Sequence, residues 1–270
     1  MSPGAVRPGR CPLPARAQTL RVARVRPFLP EPSERVCEQL PQRRGRAVPA
    51  IDYHGAITAT DESTTAWADA DAAARAEAAT WAARAPRVPA QWFARDVVPS
   101  AKRGSALHGV CHTQRVHIHA QRLTRELGWA ELDAQLALKA ALWHDIGRTD
   151  DGEDDGHGAQ SAARAAQLGL TEALAPADAA AVLFAVFFHC LPDETAEEEA
   201  PRWHEEREGR GAGRLPDPGQ ALRILWLLKD ADALDRVRLG PWEAADPQLL
   251  RHPETEAHLP FAAALYDLLD

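Results

Sequence analysis

A chain of 270 residues with 45% hydrophobic and 26% charged residues has the composition of a globular protein with a substantial core. No apolar run reaches the roughly eighteen residues that a membrane-spanning helix needs, so we expect no contact with a membrane. The formal net charge of −8 argues against a general nucleic-acid binder, which would carry a basic face.

Alanine is abundant, whereas aromatic residues make up only 6% of the chain. Because alanine, leucine, arginine and glutamate are strong helix formers and β-branched residues are sparse, this balance favours an all-α fold. The four cysteines show no C-x-x-C spacing. We interpret them as reduced thiols in a cytoplasmic protein.

The first fifty residues differ from the rest of the chain, with ten arginines, three acidic residues and nine prolines. This composition predicts a disordered basic tail over residues 1–50. A wrongly chosen start codon, a nucleic-acid-binding arm and a targeting peptide are the alternatives. Residues 51–270 are predicted to form a single helical domain.

Apolar residues at helical spacing, with glycine and proline at the breaks, predict about seven helices. These cover approximately residues 61–84, 105–127, 130–144, 160–168, 176–190, 220–236 and 254–269. The segment 191–219 carries a run of three glutamates and several glycines, so we expect a mobile charged insertion there. No segment shows the alternation of a strand.

Histidines and aspartates stand at the ends of several predicted helices. His144 and Asp145 end an apolar helix, His112 lies on the helix before it, and a late helix carries K-D-A-D-A-L-D-R over 229–236. Imidazole and carboxylate ligands together suit Mn, Fe, Co, Ni or Zn. Ligands from three separate helices can converge on one ion and leave positions free for water and substrate.

This ordered set resembles the H…HD…D signature of the HD-domain superfamily of metal-dependent phosphohydrolases. The resemblance is carried by His112 with Arg115-Val116, by H-D-I-G-R at 144–148 and by D-A-D-A-L-D-R at 230–236. It covers residues 105–239, which is half of the chain. It implies an HD-type helical bundle that hydrolyses a phosphate ester of a nucleotide or another small phosphorylated metabolite.

The resemblance implies four metal ligands, His112, His144, Asp145 and Asp232. Asp230 and Asp235 compete with Asp232, but the A-D-x-L context selects Asp232. We assign Asp235 to pairing and capping near Arg236. His108 and His119 lie on a similar helical face to His112 but lack a following Arg-Val pair, so we interpret them as ordinary histidines.

Two further histidines complete the order H…HD…H…H…D that members with two metal ions use. His157 follows an acidic loop, and His189 ends an apolar helix. If both are ligands, Asp145 bridges two ions, an arrangement suited to in-line displacement at phosphorus. The alternative is that the two histidines contact the substrate phosphate or simply pack. The resemblance therefore implies one or two divalent ions of Mn, Fe, Co, Ni, Zn or Mg.

Three cationic side chains, Arg115, Arg148 and Lys229, are predicted to bind the substrate phosphate. Asp145, Arg115 and Arg148 are the candidate catalytic residues. Arg148 stands where two-metal relatives often carry a lysine. The acid that nucleotidase branches carry shortly after the HD pair is absent at this position, although acids of the 150–155 loop are candidates to replace it.

Two other functions use the same ligands. A small group of HD-fold proteins holds two irons and oxidises its substrate with dioxygen. A non-catalytic regulatory module would bind metal and a partner, with the 1–50 tail as an arm for that partner or for nucleic acid. The identity of the substrate and the oligomeric state are not specified by any motif.

Overall fold

A computed structural model describes residues 61–94, 107–149, 151–152, 154–208, 217–240, 246–247 and 250–269. The predicted basic tail over 1–50 lies outside these ranges. Within them all regular structure is helical, which confirms the predicted all-α class. None of the helices in these ranges has both the length and the apolar character to cross a membrane.

The described residues form eight α-helices. They are α1 (Asp61–Ala82), α2 (Val110–Glu126), α3 (Glu131–Trp143), α4 (His157–Gln167), α5 (Pro176–Phe188), α6 (Asp193–Glu208), α7 (Pro218–Leu234) and α8 (Leu259–Leu268). Three 3₁₀ turns occur at Ala90–Trp92, Asp235–Leu239 and Pro253–His258. The last predicted helix, 254–269, is therefore a 3₁₀ turn followed by α8.

The centre of the core is α5, which is apolar on every face after its first turn. Ten of its residues are buried, among them Phe184, Phe187 and Phe188. A helix without a polar face must be enclosed by other elements, and α3, α4, α6 and α7 pack around it. Helix α2 packs against α3 and α7. This arrangement brings the start of α2 and the ends of α3, α5 and α7 to one end of the bundle.

Part of the segment predicted to be a mobile insertion is instead helix α6. Ala196, Ala200 and Trp203 lie one and two turns apart and are all buried. The indole N–H of Trp203 donates to the carbonyl of Ala180, 3.1 Å away. The sequence analysis did not recognise this narrow apolar stripe because glutamates surround it. The stripe is nevertheless enough to pack a surface helix against the core. Residues 209–216 of the same segment lie outside the described part of the chain.

A smaller apolar cluster joins α1 and α8 to α2, formed by Ala78, Ile118, Phe261, Ala264 and Leu265. Of the four cysteines, Cys111 and Cys190 fall within the described ranges, and both are free thiols as predicted.

Candidate metal centre

All six predicted ligands meet at one end of the helical bundle. His112 lies in the first turn of α2 and His157 is the first residue of α4. His144 and His189 directly follow the last residues of α3 and α5, and Asp232 lies in the last turn of α7. Asp145 follows His144, so each of the six ligands lies at or next to a helix end.

The first group of ligands surrounds the Nε2 atom of His112. This atom lies 3.0 Å from Nε2 of His144, 3.3 Å from Oδ1 of Asp232 and 3.5 Å from Oδ2 of Asp145. We call these four residues the first subsite. Their ligand atoms are close enough to share one ion.

The second group uses the other oxygen of the same aspartate. The Nε2 atoms of His157 and His189 lie 2.9 Å apart, and Oδ1 of Asp145 is 3.4 Å from the former and 3.5 Å from the latter. We call these three residues the second subsite. The thiol of Cys190 is also close to both histidines, and it donates to the carbonyl of Asp155. Asp145 thus presents one oxygen to each subsite.

Hydrogen bonds fix which ring nitrogen of each histidine faces the centre. Nδ1 of His144 donates to the carbonyl of Ala141 at 2.9 Å, and Nδ1 of His189 donates to that of Val186 at 2.7 Å. Nδ1 of His157 donates to the carbonyl of Asp154. Because carbonyls can only accept, each ring keeps its lone pair on Nε2, which points into the centre.

The charges at the centre also suit a cation. Burial opposes ionisation of Asp145, but His144 and hydrogen bonds from His108 and His112 hold its pKa well below the ordinary value. Burial likewise opposes ionisation of Asp232, yet His112 and His144 lower its pKa. Burial lowers the pKa of His144 to about 4. Ionised carboxylates and neutral imidazoles are the forms in which these side chains bind metals.

One buried atom in the centre lacks a hydrogen bond. Among the described residues, Oδ1 of Asp145 has no hydrogen-bond partner, although the side chain is almost completely buried. A buried carboxylate oxygen without a donor is costly unless a cation satisfies it. The centre therefore fits divalent metal ions.

Asp235 contacts the first subsite through Nδ1 of His112, the ring nitrogen that faces away from the centre. Its Oδ2 lies 2.6 Å from Nδ1 of His112, and its Oδ1 accepts from Nε of Arg115 at 2.6 Å. Although burial and Arg238 favour the neutral ring, hydrogen bonds to Asp145 and Asp235 raise the pKa of His112. We predicted that Asp235 pairs near Arg236. Asp235 does follow the last residue of α7 and pairs nearby with Arg238 at 3.5 Å, and it also pairs with Arg115 on a different helix.

Two of the three cationic side chains that were predicted to bind the substrate form hydrogen bonds to other residues of the protein. Arg115 is fully buried and also donates to the carbonyl of Leu269 at 3.0 Å. Lys229 donates to the carbonyl of Leu191 and to Asp193, so it ties α7 to the α5–α6 connection. The charged groups of both residues already have partners within the protein, and their substrate role stays a prediction.

Arg148, the third predicted phosphate-binding residue, is also buried. Its side chain donates to the carbonyl of Gly152, in the loop before α4. Its positive charge also acts on His157, whose pKa is lowered by burial, by His189 and, to a smaller extent, by Arg148. Arg148 thus lies beside the second subsite.

The sequence interpretation missed His108. Its Nδ1 lies 3.1 Å from Oδ2 of Asp145, in the turn that precedes α2. The available signal was its position four residues before His112, one helical turn away. His119, which we also took for an ordinary histidine, is fully buried and neither ring nitrogen has a hydrogen-bond partner among the described residues.

The fold and the site together define a helical metal-binding domain whose ligands come from converging helix ends. A comparison with protein families identifies the kind of domain more specifically. Residues 109–237 match the family model described as HD domain. The match includes all six predicted ligands, so this part of the chain is an HD domain, of a superfamily of metal-dependent hydrolases. Comparison with curated proteins and with solved structures gave no match.

Proposed function

We propose that this protein is a phosphohydrolase with two divalent metal ions that cleaves the phosphate ester of a nucleotide or another small phosphorylated metabolite. The observation that carries the proposal is the position of Asp145, whose two carboxylate oxygens face two different sets of imidazoles. Members of the HD superfamily are metal-dependent hydrolases, and the match over residues 109–237 supports the same class here.

The ligand set favours transition metals. Four imidazoles and two carboxylates suit Mn, Fe, Co, Ni or Zn better than Mg, which prefers oxygen ligands. When bound, such ions make a water molecule acidic enough to attack near neutral pH and polarise the phosphoryl oxygen. The protein's own contribution is to favour the neutral rings of His144 and His157, to keep Asp145 and Asp232 ionised and to hold the ligand atoms at fixed positions.

Substrate access is on the side of the first subsite. The side chain of Asp232 is 35% exposed, whereas those of His112 and His144 are 1% exposed. A phosphate ester therefore approaches past Asp232, and Arg148 is the cation that we propose to bind it. We further propose that the substrate is a small phosphorylated molecule, that the protein is cytoplasmic and binds no membrane, and that any nucleic-acid contact is confined to the 1–50 tail.

The test combines metal analysis with a panel of phosphate esters. Protein purified without added metal is expected to contain about two transition-metal ions per chain and to release inorganic phosphate from one class of ester. His157→Ala and His189→Ala should lower the metal content towards one. His144→Ala, Asp145→Ala and Asp232→Ala should abolish hydrolysis. Asp71→Ala, which changes an exposed aspartate on α1, is the control.

Two results would overturn the proposal. Oxygen uptake that depends on iron, without phosphate release, would instead indicate an HD-fold di-iron oxygenase. Full metal content without turnover of any ester or any oxygen uptake would indicate a regulatory module. A wild-type content of one ion, unchanged in the His157 and His189 variants, would remove only the two-ion part.

A further inference from the structure

His108 lies at the metal centre but is not one of its six expected ligands. It belongs to the turn before α2, and its side chain is 15% exposed. Its ring stands edge-on to that of His112, with ring centroids 5.6 Å apart. Its Nδ1 is 3.1 Å from Oδ2 of Asp145. Because an ionised carboxylate can only accept, His108 is the donor in this hydrogen bond.

The two oxygens of Asp145 are therefore unequal. Oδ2 accepts from His108, whereas Oδ1 has no hydrogen-bond partner among the described residues and faces His157 and His189. A hydrogen bond to one oxygen restricts rotation of the carboxylate about its Cβ–Cγ bond. With Oδ2 held on the His108 side, Oδ1 stays directed at the second subsite.

We propose that His108 is a positioning residue that fixes the Asp145 carboxylate in the orientation in which its two oxygens serve two different ions. The inference rests on the two-ion form of the proposed function. Without the N–H of His108, the carboxylate is free to turn and bind a first-subsite ion through both oxygens, a mode common for aspartate. The second subsite then keeps only two imidazoles and binds its ion more weakly.

The variants separate the hydrogen bond from the bulk of the ring. His108→Phe keeps a ring but removes the donor. His108→Asn places an amide nitrogen near the position of Nδ1, whereas His108→Gln places one near that of Nε2. His117→Phe is the matched control, because His117 lies on α2 and has no contact with Asp145 among the described interactions.

The measurement is a calorimetric titration of the metal-free protein with Mn²⁺, together with electron paramagnetic resonance of the loaded protein. Wild type and His117→Phe should bind two ions and show the spectrum of an exchange-coupled pair. His108→Phe and His108→Gln should bind the first ion with wild-type affinity and the second about 10–100-fold more weakly. The coupled spectrum should be lost, and His108→Asn should restore it.

Three results would overturn the inference. These are two ions of unchanged affinity in His108→Phe, loss of the first ion instead of the second, and equal damage in His108→Asn and His108→Gln. The metal-free melting curve shows whether each variant folds. If His108→Phe does not fold, the comparison of His108→Asn with His108→Gln gives the same test. Since no substrate is used, a wild type that binds two Mn²⁺ ions without releasing phosphate overturns the proposed function alone.

Discussion

Nδ1 of His112 lies 2.6 Å from Oδ2 of Asp235, although the two residues are 123 positions apart in the chain. The same carboxylate accepts two hydrogen bonds from the buried guanidinium of Arg115, at 2.6 and 3.1 Å. Asp235 therefore holds the ring of His112 with Nε2 directed into the first subsite. It is an outer partner of the kind that raises the basicity of a metal-ligating histidine.

Replacing Asp235 should affect both metal binding and stability. Asp235→Asn keeps the shape of the side chain but removes the charge that pairs with Arg115. We expect metal affinity to fall about 10–100-fold. The free energy of unfolding of the metal-free protein should fall by about 3–5 kcal/mol, because a buried guanidinium loses its counter-charge. Calorimetric metal titration and urea unfolding measure the two effects.

A double variant separates these effects. Asp235→Asn combined with Arg115→Met removes the unpaired buried charge and should recover part of the lost stability. It should not recover the metal affinity, since His112 still lacks its carboxylate partner. Unchanged metal affinity in the single variant would show that Asp235 does not orient His112.

The close contact between α4 and α5 depends on Gly158. A Cβ at this position would lie 2.3 Å from the carbonyl oxygen of Phe187 and 2.9 Å from that of Val186. Gly158→Ala should therefore push α4 away from α5 and separate His157 from His189. We expect the loss of one of the two metal ions, together with about 1–3 kcal/mol of stability.

Gly156→Ala is the matched control for this variant. A Cβ there would lie 3.0 Å from the side-chain oxygen of Asp154, which can move. Elemental analysis of both variants tests the prediction. Full metal content in Gly158→Ala would mean that the two helices separate without disturbing the second subsite.

Helix α6 should contribute measurably to the core. Trp203 packs against Phe184, Phe187 and Phe188, with ring centroids between 5.4 and 5.8 Å apart. Trp203→Ala should lower the free energy of unfolding by about 3–5 kcal/mol. Arg202→Ala, at an exposed neighbouring position, should change it by less than about 0.5 kcal/mol. A loss below about 1 kcal/mol for Trp203→Ala would revive the original prediction of a mobile segment.

Buried His119 should make stability fall in mild acid. Burial lowers its pKa from 6.5 to about 3. Above pH 6.5 the ring is neutral in both the folded and the unfolded chain, so it contributes no pH dependence. Between pH 6.5 and 3 only the unfolded chain takes up this proton, and the free energy of unfolding falls by about 1.4 kcal/mol per pH unit.

The variant His119→Phe removes this contribution to the pH dependence of the free energy of unfolding, and it keeps an aromatic ring against Phe261. The measurement is urea unfolding of the metal-free wild type and variant at pH 7.5 and pH 5. All other titrating groups affect both proteins equally, so their effect drops out of the difference. The wild type should lose about 2 kcal/mol more than the variant between these two pH values. Equal losses would show that His119 is protonated within the folded protein.

The sequence predicted the parts that depend on local pattern. Helix α3, which is followed by His144, and the apolar helix α5, which is followed by His189, could be predicted from hydrophobic spacing. The HD signature supplied the six ligands that the structure brings together. Helix α6 was not predicted because its apolar stripe consists of only three residues within a glutamate-rich segment. That stripe is visible only when Trp203 is placed against the rings of α5.

The direction of each charged side chain could not be predicted from sequence. Arg115 follows the ligand His112 by three residues, which suggested a place facing the substrate. In the folded protein that side of α2 faces Asp235 and the C-terminal helix α8. His108 shows the converse, because it lies before the helix, where periodicity no longer predicts which way a side chain points. Both positions are determined by contacts between distant parts of the chain.

The pairing of His112 with Asp235 also bears on the order in which the protein folds. Helices such as α2 and α3 can form from short-range contacts, but the first subsite requires α2, α3 and α7 to meet after long loops have closed. No early helical hairpin contains a complete set of ligands. An intermediate with only its N-terminal helices formed therefore cannot retain the ions tightly, and metal affinity becomes a measure of the fully assembled domain.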